Sequence, residues 1–558
     1  MKIKKIVLFV ILALVVVLLI FRGVPAAINI YLNKNAEKIV TDMIIRTPDF
    51  GDHTVEFGHI LFDFNFRGTF LELGGIRITP NENIPKDKIK INLALENAYL
   101  TGFSWTSFYL DNSIMLDSAY LENVQVETKT PPFDSLQMSQ ESEVEGENYD
   151  NISINRIRFN RLSFMNVDSY NDSVRMSIND LTVSANHFEL SSADIDDRDA
   201  LFKVGLLEGY LDMASYHFNE YRNAFYFKDL SFNSDDKHLL IGGMQLDNKL
   251  ERYKYINQFD FQTDWIELDE GELDIQGFNF ETFFRKGIVQ ADLIIASDLV
   301  INVFRDKRKP ENKERRPEMV QARISGIPRE IMIEELKLEN AYVAYQERPD
   351  TNAPRAGAIH FDEINASISN ITNIDTKVAE NNIMEVKASG KIMAQGTMDL
   401  TIDFTLDDPD GAFHMKGVVG SMPLEALNDM IGPETRVGIN AGHLDNLFFN
   451  IYANNMEGTG DLIMKYRDLK IKILDKNYKD NQNIFRKAGA FLANTLVVPN
   501  DNPKKNGELA EGQVFARRDP SKFIFSYWWE LLLSGMMSTL TGKSEADMRA
   551  DAQADQNK

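Results

Sequence analysis

One spacing recurs along this chain: an apolar residue, two others, then apolar residues at the fourth, sixth, ninth and eleventh places. Ile333, Leu336, Leu338, Ala341 and Val343 fill it once, Leu116, Ala119, Leu121, Val124 and Val126 a second time, and Ile154, Ile157, Phe159, Leu162 and Phe164 a third. Half-copies with the first three positions occur at Ile178, Leu181 and Val183, at Phe227, Leu230 and Phe232, and at Phe361, Ile364 and Ala366. The fourth and sixth places are two apart, as are the ninth and eleventh, which is the period of a strand and not of a helix. Between these pairs stand residues such as Glu339 and Asn340, or Asn160 and Arg161, which shift the phase by one. A strand keeps one face through such a shift only by a bulge or a sharp bend. The unit reads as a bent strand with one apolar face. Its recurrence predicts a sheet built by repetition, each repeat needing neighbours to cover it.

A sheet of this kind ordinarily buries its apolar face on a second layer. Almost no helical pattern falls between Thr54 and Asp475 to supply one. Curling of the sheet on itself, a second sheet as in a sandwich, or lipid chains must then provide the cover. The bend in every repeat favours the curled trough over the sandwich. The expected fold is mainly β: an N-terminal transmembrane helix, a long, curled, repeat-built antiparallel sheet forming a β-groove, and short C-terminal helices.

Lys2, Lys4 and Lys5 precede an unbroken apolar run over residues 6–21, which predicts a membrane anchor. Val24 and Ala26 also fit a cleavage site, but apolar residues at helical spacing over 28–45 favour an uncleaved anchor continued by a helix. The lysines place the short N-terminal end in the cytoplasm and the bulk of the chain outside the membrane. The chain carries 84 Asp and Glu against 60 Lys and Arg, a formal charge of −24, so neither nucleic acid nor an anionic membrane surface is an expected partner of the body as a whole unless a local patch supplies the charge. The absence of cysteine excludes disulfides, thiolate metal sites and cysteine catalysis.

The chain divides into an anchor (1–32), a helix with the first strands (33–130), a middle β region (151–303), a C-terminal β region (320–475), a helical cap (484–541) and a polar, frayed tail (542–558). Residues 131–150 read as a disordered loop or a join between subdomains, and residues 191–200 as an acidic interruption. Aromatic-rich strands are expected at 224–232, 255–265 and 271–284. The one basic run, 305–317, reads as a solvated loop or a contact for anionic headgroups. Helices are expected at 484–498 and 523–540. The second bears Trp528 and Trp529 and either caps the sheet end or lies at a membrane interface.

Catalysis finds little support. None of the eight histidines forms a ligand pair at helical spacing, and no nucleophile elbow or phosphate loop occurs. Gly458 and Gly460 read as a bend, and the acids of 407–411 as a turn without the downstream Glu of an EF-hand. No enzyme activity, cofactor or metal is expected.

Residues 413–427 and 438–451, then Gly458, Thr459, Gly460, Asp461, Leu462, Met464, Lys465, Tyr466, Arg467, Asp468, Leu469 and Lys470, with Ala493, Asn494, Thr495, Trp528, Trp529 and Gly535, resemble the C-terminal part of the AsmA-like family of bacterial envelope proteins. The anchor followed by bent strands resembles that family's N-terminal part. The resemblance implies kinship with repeating β-groove, bridge-like lipid-transfer proteins. It further implies a single-pass inner-membrane protein with its bulk in the periplasm, and a trough along which phospholipid passes toward the outer membrane. The repeat-face residues Leu116, Leu121, Val126, Ile154, Ile157, Phe159, Phe164, Ile333, Leu336, Leu338 and Val343 are the candidates for the lipid surface. The alternative is a scaffold or outer-membrane protein assembly factor that binds its partners by strand addition at an open sheet edge.

Overall fold

The computed structural model describes residues 16–17, 19–45, 52–66, 68–131, 149–191, 203–351, 353–474, 478 and 498–556. The chain is mainly β and repeat-built, with helices toward its C-terminus. It forms two compact units, residues 1–242 with 278–287, and residues 243–277 with 288–558. The division falls between Gly242 and Gly243, inside the strand His238–Asn248, and not at the join expected at 131–150.

The first unit opens with helices α1 (Val24–Lys34) and α2 (Ala36–Ile45), separated at Asn35, whose N–H caps the first of them. Ten strands follow: β1 (His53–Glu56), β2 (His59–Asn65), β3 (Gly68–Pro80), β4 (Lys90–Phe103), β5 (Ser113–Leu116), β6 (Ser118–Thr130), β7 (Asn151–Asp168), β8 (Val174–Ser191), β9 (Leu207–Phe218) and β10 (Asn223–Asn233). β1 and β2 both pair with β3, and the ladder continues through β4, β6, β7, β8, β9 and β10. One join is parallel. β5 and β6 lie beside β7 with Leu116 opposite Ile154, Ala119 opposite Ile157, Leu121 opposite Phe159, Val124 opposite Leu162 and Val126 opposite Phe164. Two copies of the repeat are thus neighbours in perfect register.

The second unit comprises β12 (Asp264–Leu268), β13 (Glu272–Gln276), β14 (Val289–Ser297), β15 (Val300–Asp306), β16 (Ile331–Arg348), β17 (Gly357–Thr372), β18 (Ile383–Ile392), β19 (Gly396–Thr405), β20 (Phe413–Val419), β21 (Met422–Pro423), β22 (Val437–Ala453), β23 (Glu457–Ile473) and β24 (Gly512–Arg517), the divided strand His238–Asn248 being β11. β14 and β15 both run parallel to β16, placing Ala291, Ile294 and Ala296 against Ile333, Leu336 and Leu338, and Ile301 against Val343. Ala291, Ile294, Ala296, Leu299 and Ile301 therefore form a further full copy of the spacing. From β16 onward the ladder is antiparallel through β17, β18, β19, β20, β22, β23 and β24.

The expectation of a wholly antiparallel sheet is corrected by these two joins. A parallel neighbour requires the chain to cross back, which takes a dozen or more residues. The segment 131–150, read in the sequence as a loop or join, and the segment 307–330, which contains most of the basic run, are the connections that carry β6 to β7 and β15 to β16.

The phase shifts are bulges. The register slips between Phe159 and Leu162, and between Leu338 and Ala341. At each shift one residue has left-handed backbone: Asn123 (φ 52°), Arg161 (59°), Asp180 (53°) and Asp229 (51°) in the first unit, and Asp298 (54°), Asn340 (53°) and Glu363 (49°) in the second. Asn and Asp tolerate this conformation best among residues with a Cβ. The half-copies carry bulges of their own, so each strand turns its phase where its neighbour does.

Other elements depart from expectation. Residues 255–265 contain the end of a short helix, Arg252–Ile256, before β12, and residues 271–284 contain β13 and the helix Phe280–Lys286. Asn279 caps the latter by accepting from the Thr282 N–H, and Gly287 (φ 67°) ends it, so its phenylalanines are helical and not stranded. The tail expected to fray is the helix Glu545–Gln556. The apolar run up to residue 15 and the helix expected at 484–498, up to residue 497, lie outside the described residues. Among the described residues no helix is long and apolar enough to cross a membrane.

The bulges predict a substitution pattern at Asn340, whose Nδ2 donates to Asp298 Oδ1 at 2.6 Å. Asn340→Ile, which forces a β-branched residue into left-handed backbone, lowers stability by about 1–2 kcal/mol, whereas Asn340→Gly leaves the urea midpoint nearly unchanged. Equal losses in both variants would assign the effect to the hydrogen bond.

Candidate functional site

Alternation along each strand puts one set of side chains on a common face, and the register extends that set across neighbouring strands. In the first unit, Val126, Phe164, Ile178, Ala214 and Phe227 form one transverse row, and Leu121, Phe159, Val183, Gly209 and Phe232 another. Tyr216, Phe218, Phe225 and Phe227 share that face as a ladder of rings stacked 5.4–6.1 Å apart. In the second unit, Leu336, Ile368, Val386, Ile402, Met415 and Ile451 make one row, and Leu338, Ala366, Ala388, Leu400, Gly417 and Phe449 the next.

Helices cover parts of these faces. In the first unit, Leu32 of α1 and Ala36 and Val40 of α2 pack on Phe62, Leu71, Leu73, Ile76, Leu95, Ala98 and Val124. In the second, Leu424 and Ile431, at and near the helix α3 (Asn428–Thr435), join the apolar cluster near the Ile439 end of β22. The C-terminal helix α4 (Ile524–Thr541) joins the same cluster through Tyr527 and Leu531, while Trp528 lies against the Phe404 and Phe413 rings. Gly535 permits this contact, since a Cβ there would sit 2.7 Å from Val514 Cγ2 and 2.9 Å from Leu462 Cβ. Of the two expected roles for the tryptophan-bearing helix, capping the sheet is the one seen here.

The candidate lipid-surface residues divide accordingly. Leu116 and Ile154 are buried with Phe103, Phe108, Ala119 and Tyr149, so they are core and not surface. Ile157 packs on that same cluster, and Leu121, Val126 and Phe159 on the helix-covered one. Phe164, Ile333, Leu336, Leu338 and Val343 are half-buried, as are Ile178, Phe227, Ala366, Ala388 and Leu400 beside them in the rows. An apolar side chain left half in water over so many adjacent strands is a surface that gains by being covered. The β10 half of the ring ladder falls in the aromatic-rich strand expected at 224–232, whereas Tyr216 and Phe218 of β9 were not singled out in the sequence.

The opposite face is polar. Lys337, Ser367, Lys387, Thr401, Lys416 and Asn450 form a transverse row there, and a groove of about 1040 Å³ runs along it. Leu338, Ala366, Ala388, Leu400, Gly417 and Phe449 of the second apolar row line this groove as well, whereas Leu336, Ile368, Val386 and Ile402 of the first do not.

Two strands paired on one side only, β2 in the first unit and β24 in the second, have outward backbone groups closed by side chains. Among the described residues β2 pairs only with β3, and its outward backbone groups meet α1: Asn33 Oδ1 accepts from the Phe62 N–H at 2.9 Å while its Nδ2 donates to Phe62 O at 2.8 Å. Asn29, one turn earlier, does the same for Phe64 at 2.6 and 3.2 Å. At β24 the Gln513 N–H donates to Ser538 Oγ (2.9 Å) and the Phe515 N–H to Ser534 Oγ (3.1 Å), both from α4. Unpaired strand edges invite another chain, and these two are occupied.

Two buried ionic groups fasten the strand ends. In the first unit Asp168 accepts from Arg175 Nη2 (2.6 Å) and the Tyr221 hydroxyl (2.8 Å). Burial alone would raise its pKa, but these bonds and that of the Tyr170 N–H outweigh it and hold the carboxyl at about 2. In the second unit Glu347 and Glu434 share Lys307. Burial, reinforced by the Glu347 charge, pushes Glu434 up to about 7 against the pull of Lys307, and Glu434 Oε1 has no hydrogen-bond partner. Among the described residues no three His, Cys, Asp or Glu side chains are grouped to hold a metal.

No family model matches this chain, and no curated protein matches it. The resemblance to AsmA-like proteins therefore rests on the residues quoted for it.

Two outcomes follow. Asn29→Ala with Asn33→Ala frees four backbone groups of β2, and hydrogen exchange over residues 59–65 accelerates at least tenfold; unchanged protection would mean the amides do not close the edge. The second concerns pH. A carboxyl whose folded pKa (about 7) exceeds its unfolded value of 4.5 stabilises fully below the lower value, and that contribution is lost as pH rises through the higher. Glu434→Gln therefore raises the melting temperature more at pH 8 than at pH 5, and a uniform shift across that range would contradict the assignment.

Proposed function

We propose that this chain is a membrane-anchored lipid-binding protein that holds or moves phospholipid by burying acyl chains along an apolar β-groove, with no chemical step. The anchor is the run at 6–21 in the inner membrane, the body lies in the periplasm, and the role is in envelope lipid homeostasis toward the outer membrane. The observation that carries this reading is the set of in-register apolar rows left half-exposed, in each unit, beyond the part that helices cover. Burial returns about 25 cal/mol per Å², or roughly 0.8 kcal/mol per methylene, so an acyl chain is held on such a face without any specific polar ligand. The rows run across the strands, and a chain lying along them passes from repeat to repeat without changing its surroundings. The scaffold alternative needs an open edge for strand addition, and the closure of β2 by Asn29 and Asn33 and of β24 by Ser534 and Ser538 weighs against it.

The test is photocrosslinking in the full chain in its native membrane. A benzophenone amino acid at Phe227 or Leu338, on the apolar rows, captures phospholipid detectable by mass spectrometry. The same group at Tyr210 or Lys387, whose side chains alternate to the other face, captures little. Equal capture at all four positions, or none at Phe227 and Leu338, overturns the reading.

A further inference from the structure

Glu530 is the only charged residue of helix α4, whose sequence is otherwise mostly apolar, with its hydroxyls at Ser526, Ser534, Ser538, Thr539 and Thr541 besides Tyr527. Its Tyr527 and Leu531 side meets the sheet and its Trp528 and Leu532 side meets the apolar cluster. The third side is open: Phe525 is 71% exposed and Trp529, one turn on, is 50% exposed.

The basic run lies against the start of this helix. The Arg315 guanidinium sits 4.1 Å from the centroid of the Phe523 ring, the Arg518 guanidinium donates to Pro317 O, and Lys313 Nζ is 3.6 Å from Asp519. Arg305, Lys307, Arg308 and Lys313 of the run are spent on carboxylates. Arg315 and Arg316 are exposed and pair with no carboxylate among the described residues. Two exposed rings, and near the start of the same helix two guanidinium groups without a carboxylate partner among the described residues, stand out on a chain of formal charge −24.

We propose that this corner docks on an anionic phospholipid bilayer, with Phe525 and Trp529 entering the boundary between headgroups and acyl chains and Arg315 and Arg316 meeting lipid phosphates. Aromatic side chains with an apolar body settle at that depth, and each nearby cation adds attraction to an anionic surface. Exposed Glu314 and Glu318 lie in the same segment, so the rings supply most of the hold and the arginines the preference for anionic lipid. A second copy of this chain is a poor occupant, because a stable protein interface buries about 800 Å² on each partner and two rings offer far less. The docking stands apart from whether the apolar rows carry lipid.

The test uses the full chain reconstituted in phosphatidylcholine vesicles and mixed with acceptor vesicles of phosphatidylcholine, with or without phosphatidylglycerol. Brominated acyl chains are placed in turn in the host and in the acceptor vesicles, and docking is read as quenching of tryptophan emission. In one of the two arrangements wild-type quenching exceeds that of Trp529→Phe, isolating Trp529 from the other three tryptophans. Phe525→Ser weakens it at least threefold, and Arg315→Gln with Arg316→Gln removes the increment due to phosphatidylglycerol. All four side chains are exposed, so the melting temperature stays unchanged in these variants. Quenching no greater in the wild type than in Trp529→Phe, in both arrangements, overturns the proposal. So does self-association without acceptor vesicles that Trp529→Ser abolishes, which would make a second copy the occupant.

Discussion

A strand cannot change phase and keep its face unless one residue leaves the extended region of the backbone. Here that residue takes positive φ, and it does so at matching places in adjacent strands: Asn123 beside Arg161 beside Asp180, and Asp298 beside Asn340 beside Glu363. The apolar rows, the bends and the register all depend on it. Were Asn340 extended, Ala341 and Val343 would point away from Leu336 and Leu338, and half of the strand's apolar surface would move to the polar side. The short polar side chains at these positions tie neighbours together as well, as Asn340 does to Asp298.

Once the rows are aligned, the fold has to cover them, and it does so unevenly. Helices take the places where a fixed cover serves: α1 and α2 over the first strands, α3 and α4 in the second unit. Elsewhere in each unit parts of the rows remain half-exposed. A sheet whose purpose was only to be stable would close over itself there. An apolar ligand that enters and leaves would need the same stretch left open, which is why the uncovered rows, and not any polar cluster, carry the functional proposal.

Much of this was legible in the sequence, and the losses have physical causes. The spacing gave strand, bulge and face, because period two and a one-residue slip are properties of the chain alone. Strand direction is not such a property, so the parallel joins were invisible except as the length of the connections at 131–150 and 307–330. The copy at Ala291, Ile294, Ala296, Leu299 and Ile301 was missed because alanine marks a face weakly. Phe278 and Phe280 alternate and, with Phe283 and Phe284 close behind, read as strand until Asn279 and Gly287 are recognised as the two ends of a helix. Among the candidate surface residues, Leu116 and Ile154 could not be told from Leu338 or Phe164, since repetition selects the same residue types for core and for open surface. Asn29 and Asn33 stood one helical turn apart in plain view, but their partners lie some thirty residues away on β2.

Those two asparagines, and the serine pair that answers them on α4, bear on how such a chain evolves. A repetitive sheet has no internal reason to stop, and without terminators its length would be set by whatever chain next happened to pair with it. With the terminators supplied by helices, each held to its own edge strand, a duplication of one bent strand and its neighbour lengthens the sheet while leaving both ends untouched. Reach thus becomes a trait that gene duplication can adjust in discrete steps, independently of the segments that fix where each end is held.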